Sequence, residues 1–285
     1  MRIDNYLKEL ICEGNDLCFD NQGEILNKIL KENSIKKLSK KLKVSERLIY
    51  YWSKNERPIS LINLIKLGII DDSFRYAEYI SINGVKQKTR LCKKLTPELS
   101  YLVGYIYGDG HIGLKYSFSI SDFSKENIIL AQKLLEEIFN LKLKYRFRSD
   151  RNYYELNSSW KAGCLILNKV FEMPFGIKNK RLFMPKIIKN SNLKNKLMFS
   201  LGFAAADFGG NSLTQTSLSV LEDVKITLKE VGISCKIYGP YGPYKGNEDT
   251  KWVMSFNKKS SERLKKLIDN FKKRNVTQLI NAPVV

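Results

Sequence analysis

The chain has 285 residues, of which 43% are hydrophobic and 11% aromatic, enough for a sizeable core in about two domains and too apolar for a disordered chain. Its 49 Lys and Arg against 29 Asp and Glu leave a formal charge of +20, which points to a polyanionic partner: nucleic acid first, an anionic membrane surface as the rival. No apolar run approaches the ~20 residues that span a bilayer. The start, Met1-Arg2-Ile3-Asp4, has no apolar signal core, and Cys12, Cys18, Cys92, Cys164 and Cys235 form no Cys-x-x-Cys pair. A disulfide framework, a structural zinc site and a membrane location are therefore disfavoured, and an intracellular protein of the cytoplasm or nucleoid with reduced, buried thiols is expected.

Residues 1–70 read as a helical domain. Ile25, Leu26, Ile29 and Leu30 have helical spacing, and Leu38 and Leu42 follow four apart. Ser45 is an N-cap for a helix carrying Leu48, Ile49 and Trp52, which Pro58 stops. Ile59, Leu61, Leu64 and Leu67 predict another helix, closed near Gly68. Residues 71–95 read as a hairpin and basic linker: Asn83-Gly84 is a two-residue hairpin turn, followed by Lys86, Lys88, Arg90, Lys93 and Lys94. Thr96-Pro97-Glu98 opens a helix with Pro at its first position.

From there the chain repeats itself, with one unit over 96–190, a second over 191–275 and a tail over 276–285. The first pass has a small-residue-rich apolar helix ending in Gly108-Asp109-Gly110, a polar–apolar alternation through Ser121, a helix near 124–139, strands over 141–160 and a helix near 163–172. The second has an apolar helix near 194–207, a strand near 211–216, a helix near 218–231, strands at 234–238 and 251–256, and a helix over 259–273. Gly239-Pro240-Tyr241-Gly242-Pro243 reads as a hairpin tip.

The two apolar helices carry the chemistry. Gly104 and Gly108 share a face of one, Gly202 and Ala206 a face of the other, so the two backbones can approach closely. A glycine costs a helix ~1 kcal/mol relative to alanine, which calls for such a packing reason. Each helix ends in a single acid, Asp109 or Asp207, at the negative end of its dipole. Side by side, two such carboxylates make sense as a divalent-cation site built from hard oxygen donors. Taken singly, either acid could merely end its helix in a surface turn.

These motifs resemble the LAGLIDADG homing endonucleases in their single-chain, two-motif form. Gly104, Gly108, Asp109 and Gly110 fall at the key positions of the first motif; in the second, Asp207 holds the metal-binding position, while Phe208 replaces the usual glycine and Ala205 stands where an earlier acid often lies. The resemblance covers about residues 95 to 273. It implies an α+β fold: a duplicated αββαββα core with pseudo-twofold symmetry and saddle-shaped antiparallel sheets, preceded here by an all-α helix-turn-helix domain. It implies site-specific cleavage of double-stranded DNA at a long, near-asymmetric target by a monomer, in the service of intron homing. Two or three Mg²⁺ ions, replaceable by Mn²⁺, would be held by Asp109, Asp207 and the carbonyls of Gly108 and Ala206. Lys178 and Lys180 lie where many relatives carry a catalytic lysine; a phosphate contact or a solvated loop is the alternative for both. The runner-up function is a non-cleaving DNA-binding regulator or maturase-like splicing helper on the same fold. With no splicing-domain residues flanking the nuclease, an intein is disfavoured.

Several stretches read as DNA-facing. In 141–148, period two puts Leu141, Leu143, Tyr145 and Phe147 on one face and Lys142, Lys144, Arg146 and Arg148 on the other. His111, Gly113, Lys115, Ser117 and Ser119 form the polar face of the first strand; Asn211, Gln215, Lys236, Tyr238, Lys251 and Ser255 are the second repeat's equivalents. His111 is expected as a DNA contact or surface residue rather than a catalytic base. Residues 35–54 resemble a helix-turn-helix, with Lys36–Lys41 as positioning helix and Ser45–Lys54 as recognition helix. Leu38, Val44, Leu48, Ile49 and Trp52 would form its core, and Glu46, Arg47, Tyr50, Ser53 and Lys54 would face DNA. The alternative is a small bundle that only supports the nuclease.

Overall fold

The computed structural model describes residue 10 and residues 16–83, 85–178, 182–242 and 250–280, with side chains to 275. Helices α1 (Gly23–Glu32), α2 (Ile35–Leu42) and α3 (Glu46–Ser53) follow the predicted pattern. Ser34 and Ser45 cap α2 and α3 by accepting from the backbone N–H groups of Lys37 and Leu48. Lys43, in the left-handed region with φ 56°, turns the chain between them. Leu38, Leu42, Ile49 and Trp52 are buried.

The region is not all-helical. Strand β1 (Leu17–Phe19) is wholly buried, and it is flanked by β2 (Ile59–Ser60) and β3 (Tyr79–Ile82) in an antiparallel sheet of order β2-β1-β3-β4, where β4 is Lys88–Arg90. Three apolar residues are too short a run to signal a strand; long-range pairing makes one of them. Helices α4 (Leu61–Leu67) and α5 (Ile70–Tyr76) complete the unit, with Gly68 in the left-handed region (φ 75°) at the end of α4. Ile59 belongs to β2 rather than to the helix predicted over it.

The stretch 71–95 is no linker. β3 and β4 form the expected hairpin, with Tyr79 opposite Arg90 and Ser81 opposite Lys88, although Gly84 of the predicted turn lies outside the described residues. Thr89 is buried and accepts from Trp160 Nε1 at 2.9 Å. Cys92 Sγ donates to the Ile138 carbonyl at 3.5 Å. Leu91 and Leu95 are buried as well.

The rest is the duplicated core. The first unit runs α6 (Pro97–Asp109), β5 (Gly110–Ile112), β6 (Ser117–Asp122), α7 (Lys125–Phe139), β7 (Arg146–Arg148), β8 (Tyr153–Ser159), α8 (Lys161–Lys169). After a short helix α9 (Lys186–Lys189), the second runs α10 (Leu193–Asp207), β9 (Phe208–Gly209), β10 (Ser212–Gln215), α11 (Leu218–Glu230), β11 (Cys235–Tyr241), β12 (Lys251–Phe256), α12 (Lys258–Ile280). The antiparallel strand orders match, β5-β6-β8-β7 and β9-β10-β12-β11. The αββαββα unit, twice over, is the fold the motifs led one to expect.

Four expectations need correction. The single first strand is a hairpin: Gly113 to Tyr116 turn the chain, with Tyr116 at φ 58°, so Lys115 stands at the turn. The long basic strand over 141–148 is a strand only at Arg146–Arg148, because β8 offers partners only to those residues. Gly239 to Tyr241 are not a hairpin tip but the end of β11, where the register shifts between Tyr238 and Tyr241; Pro243 lies outside the described residues. Finally, the last helix runs to Ile280 instead of fraying into a tail from 276. Phe271 stacks on Tyr101 with ring centroids 4.0 Å apart, and Lys133 Nζ donates to the Asn275 carbonyl, so α12 is held across the first unit.

Candidate active site

Helices α6 and α10 run against each other backbone to backbone. A Cβ on Gly104 would overlap the Phe199 carbonyl oxygen, and one on Gly202 the Tyr101 carbonyl oxygen. Only glycine permits this approach. At the C-terminal ends a Cβ on Gly108 would overlap that of Ala206 and lie 3.1 Å from Asp207 Oδ2. The crossing therefore brings Asp109 and Asp207 to one place, as the spacing predicted.

The surroundings of the two acids differ. Asp207 Oδ2 accepts from Gln215 Nε2, at the end of β10. Asp109 instead has Asp122 beside it, at the corresponding end of β6. Asp122 is buried and itself accepts from Tyr105 Oη at 2.6 Å, Asn127 Nδ2 at 2.7 Å and the Ser124 N–H at 2.7 Å. Asn127 Nδ2 also donates to the Ala205 carbonyl at 3.2 Å, tying the first unit to the end of α10.

Neither partner was assigned this role from sequence. Gln215 was expected on the DNA-facing side, but it shares strand parity with buried Leu213 and turns inward to Asp207. Asp122 shares parity with buried Phe118 and Ile120. An acid in an apolar register was the signal that could have found it.

Lys178 enters the same site. Its ammonium donates to the carbonyls of Tyr107 at 2.9 Å and Gly108 at 2.5 Å. The cation that the negative end of α6 calls for is thus supplied by the protein. It also means that the Gly108 carbonyl, expected as a metal ligand, already accepts a hydrogen bond. Lys180 lies outside the described residues.

Burial pushes the Asp109 carboxyl up to about 8, helped by the charges of Asp122 and Asp207 and opposed by Lys178. Burial likewise raises Asp207, while the Gln215 hydrogen bond and Lys178 pull it down. Burial holds Lys178 down to about 8, against the pull of Asp207 and Asp109.

A divalent cation fits this donor set. Two desolvated carboxylates whose charges oppose each other lose that penalty when a cation neutralises both. Among the described residues no three His, Cys, Asp or Glu are gathered closely enough to hold a metal by themselves. A divalent ion held by two carboxylates would fill its remaining positions with water and phosphate oxygens.

The outward face of the first core sheet carries short hydrogen-bonding groups: exposed His111 opposite Ser119, then Ser117 opposite exposed Ser159, with Asn157 beside them. Lys142 and Lys144 are exposed but lie before β7 rather than in it. The four basic residues of 142–148 are not a bare face. Arg146 pairs with Glu155 at 2.8 Å, Arg148 reaches Glu155 at 3.9 Å and Asp150 at 3.2 Å, and Lys142 lies 3.5 Å from Glu136.

On the second sheet, Lys236 and Tyr238 are exposed opposite Ser255 and Val253, and Lys251 is half-buried. On the N-terminal unit, Arg47 and Arg57 both lie 5.3 Å from the Tyr51 ring, and Lys54 lies 5.8 Å from the exposed Tyr50 ring. Ser53, expected to face DNA, turns its hydroxyl back to the Tyr50 carbonyl. Among the described residues no helix is long and apolar enough to cross a membrane.

No family model matches the sequence. A curated protein, glutamine–fructose-6-phosphate aminotransferase (isomerizing) of Methanocaldococcus jannaschii, is 28% identical over 190 residues; the match covers 62% of this chain but only 16% of that protein's length. Among solved structures, that of the homing endonuclease I-DmoI in complex with DNA and Mn is similar, with a TM-score of 0.44 and 20% identity over 61% of this chain and 97% of that one. So is the N-terminal LAGLIDADG domain of DUF199/WhiA, with a TM-score of 0.42 and 12% identity over 60% of this chain and 82% of that one.

Proposed function

We propose that the chain is a site-specific double-stranded DNA endonuclease of the homing type, which hydrolyses phosphodiester bonds with divalent metal held by Asp109 and Asp207. The observation that carries this reading is the close backbone crossing of α6 and α10, which delivers one half-buried carboxylate from each unit to a single place. No packing role explains two acids there, since their mutual repulsion and desolvation oppose folding. A cation and a phosphate-bearing substrate do explain them.

In this reading Asp109 and Asp207 hold the metal, Mg²⁺ or Mn²⁺. When bound, such an ion supplies Lewis-acid neutralisation of phosphate charge. Gln215 fixes the orientation of Asp207, and the Tyr105–Asp122–Asn127 network does so beside Asp109. Lys178, with its ammonium held against the end of α6, balances the charge that accumulates on the phosphate as water adds and the 3′ oxygen leaves. Lys180 is a second candidate for that role. Arg146, Arg148, Lys236 and Lys251 on the two sheets, with Lys115, Lys142 and Lys144 beside the first, hold the duplex. Arg47, Tyr50 and Lys54 of a helix-turn-helix-like α2–α3 pair add a further contact. A monomer suffices, because one chain carries both acids.

A second reading keeps the DNA binding and drops the cleavage. It is favoured by the internal satisfaction of the site, where Lys178 engages the Gly108 carbonyl and Gln215 engages Asp207. Incubation with a genomic DNA library and Mg²⁺, followed by sequencing of new ends, decides between them. Defined ends that vanish in Asp109→Asn and Asp207→Asn proteins that still bind establish the nuclease. Sequence-selective binding with no new ends establishes the non-cleaving protein.

A further inference from the structure

The β3–β4 hairpin has no part in the site just described, yet the structure fixes it firmly to the first core unit. Besides the Trp160–Thr89 hydrogen bond, the Lys88 carbonyl accepts from Asn140 Nδ2 at 3.2 Å, and Arg90 Nη1 donates to the Glu137 carbonyl at 2.5 Å. These contacts anchor β4 by its buried Thr89 and leave its neighbours Lys88 and Arg90 exposed. The segment between the strands is thereby held at the end of β8.

Two adjoining grooves result. One, of about 380 Å³, is lined by Lys86, Gln87, Lys88, Asn140, Lys142 and Ser158. The other, of about 250 Å³, has Val85, Gln87, Lys115, Ser159 and Lys161 among its lining residues. Gln87 belongs to both. Five lysines line the pair, and no Asp or Glu does. Lys161 is neutralised by Asp16 at 2.6 Å, and Lys142 is loosely partnered by Glu136 at 3.5 Å.

Like charges held this close by a docked hairpin repel one another, which a polyanion relieves. Of the other lining groups, Gln87, Ser159 and the second amide proton of Asn140 can donate to phosphate oxygens. The second groove is also continuous with the outward face of the first core sheet, since Ser159 pairs with Ser117 on that face and Lys115 stands at the adjoining β5–β6 turn, and Gln87 joins the first groove to it.

We infer that the β3–β4 hairpin, through Lys86 and Lys88, is a phosphate-binding edge that carries the backbone of duplex DNA off the first core sheet toward the N-terminal unit. This rests on the DNA-binding reading of the core. The hairpin contacts phosphates rather than bases, so its contribution is independent of sequence and sensitive to salt.

The test is the salt dependence of full-chain binding to a fluorescein-labelled duplex of mixed sequence, followed by anisotropy. Each lost phosphate contact lowers the slope of log K against log salt by about 0.9. Lys86→Gln/Lys88→Gln is therefore expected to lower it by about 1.8 at an unchanged unfolding midpoint. Lys86→Arg/Lys88→Arg keeps the wild-type slope, which guards against a fold defect. Lys265→Gln/Lys266→Gln on exposed α12 removes the same charge elsewhere and leaves the slope unchanged.

A hairpin variant with the wild-type slope overturns the inference alone, and so does a control variant that loses as much as the hairpin variant. A wild-type protein that fails to bind duplex overturns the DNA reading together with this one.

Discussion

Lys178 Nζ donates to the Gly108 carbonyl oxygen at 2.5 Å, so the end of α6 is capped by a cation from 70 residues downstream. Replacing it removes two charge-assisted hydrogen bonds and leaves the neighbouring carboxylates uncompensated. Lys178→Met is expected to lose about 1–3 kcal/mol in metal-free buffer. Because the metal takes over the neutralising role, Mg²⁺ should raise the melting temperature of this variant more than that of the wild type. Calorimetry with and without Mg²⁺ checks this; equal metal-induced shifts would remove Lys178 from the site.

The opposed titrations of Asp109 and Lys178 predict a stability minimum. Asp109 moves from 3.8 to about 8 on folding, so between those values the folded chain holds a proton that the unfolded chain has lost. Its contribution to stability is present below about pH 4 and lost as pH rises to about 8. Lys178 moves from 10.5 to about 8, so the folded chain releases a proton that the unfolded chain keeps, and stability recovers from about pH 8 toward 10.5. Metal-free urea titrations across this range should show a dip near pH 8. Asp109→Asn should flatten its acid limb and Lys178→Met its alkaline limb. Parallel curves for all three proteins would refute the coupling.

The crossing of α6 and α10 makes glycine position-specific. Gly104→Ala drives a methyl into the Phe199 carbonyl, a backbone group that cannot rotate away. A loss of about 3 kcal/mol is expected from such overpacking. Gly209→Ala meets nothing within 4 Å and should stay within about 0.5 kcal/mol of wild type. Urea midpoints of the two variants measure the contrast.

Glu155 is the acid that offsets Arg146, at 2.8 Å. If the outward face of the first sheet meets DNA, Glu155→Gln frees that guanidinium and removes a repulsive charge. Binding to duplex should tighten several-fold at low salt, with a steeper salt slope. Weaker binding would mean that the pair orients Arg146 for its contact, and an unchanged constant would move β7 off the interface.

The paired helices were legible because their information is local: small residues four apart, one acid at each end. Helix starts such as Thr96 and Ser45, whose side chains accept from the Leu99 and Leu48 N–H groups, were legible for the same reason. What escaped depends on partners distant in sequence. β1 is a strand only because β2 and β3 flank it. The 142–148 stretch has the alternation of a strand, yet only three of its residues find a partner. Gln215 is polar and was therefore expected outside, whereas its strand parity and the acid below decide its direction. Lys178 was reached through family resemblance alone; nothing in its neighbourhood announces that it returns to the end of α6.

Where Gly104 and Gly202 bring the backbones of α6 and α10 together, no side chain separates the two halves. Bending that accommodates a bound duplex is therefore expected in the sheets, the outer helices or the duplex itself rather than at this crossing. The halves are not identical even here: Asp122 lies beside Asp109 and Gln215 beside Asp207. At this seam, three positions without side chains let the halves meet.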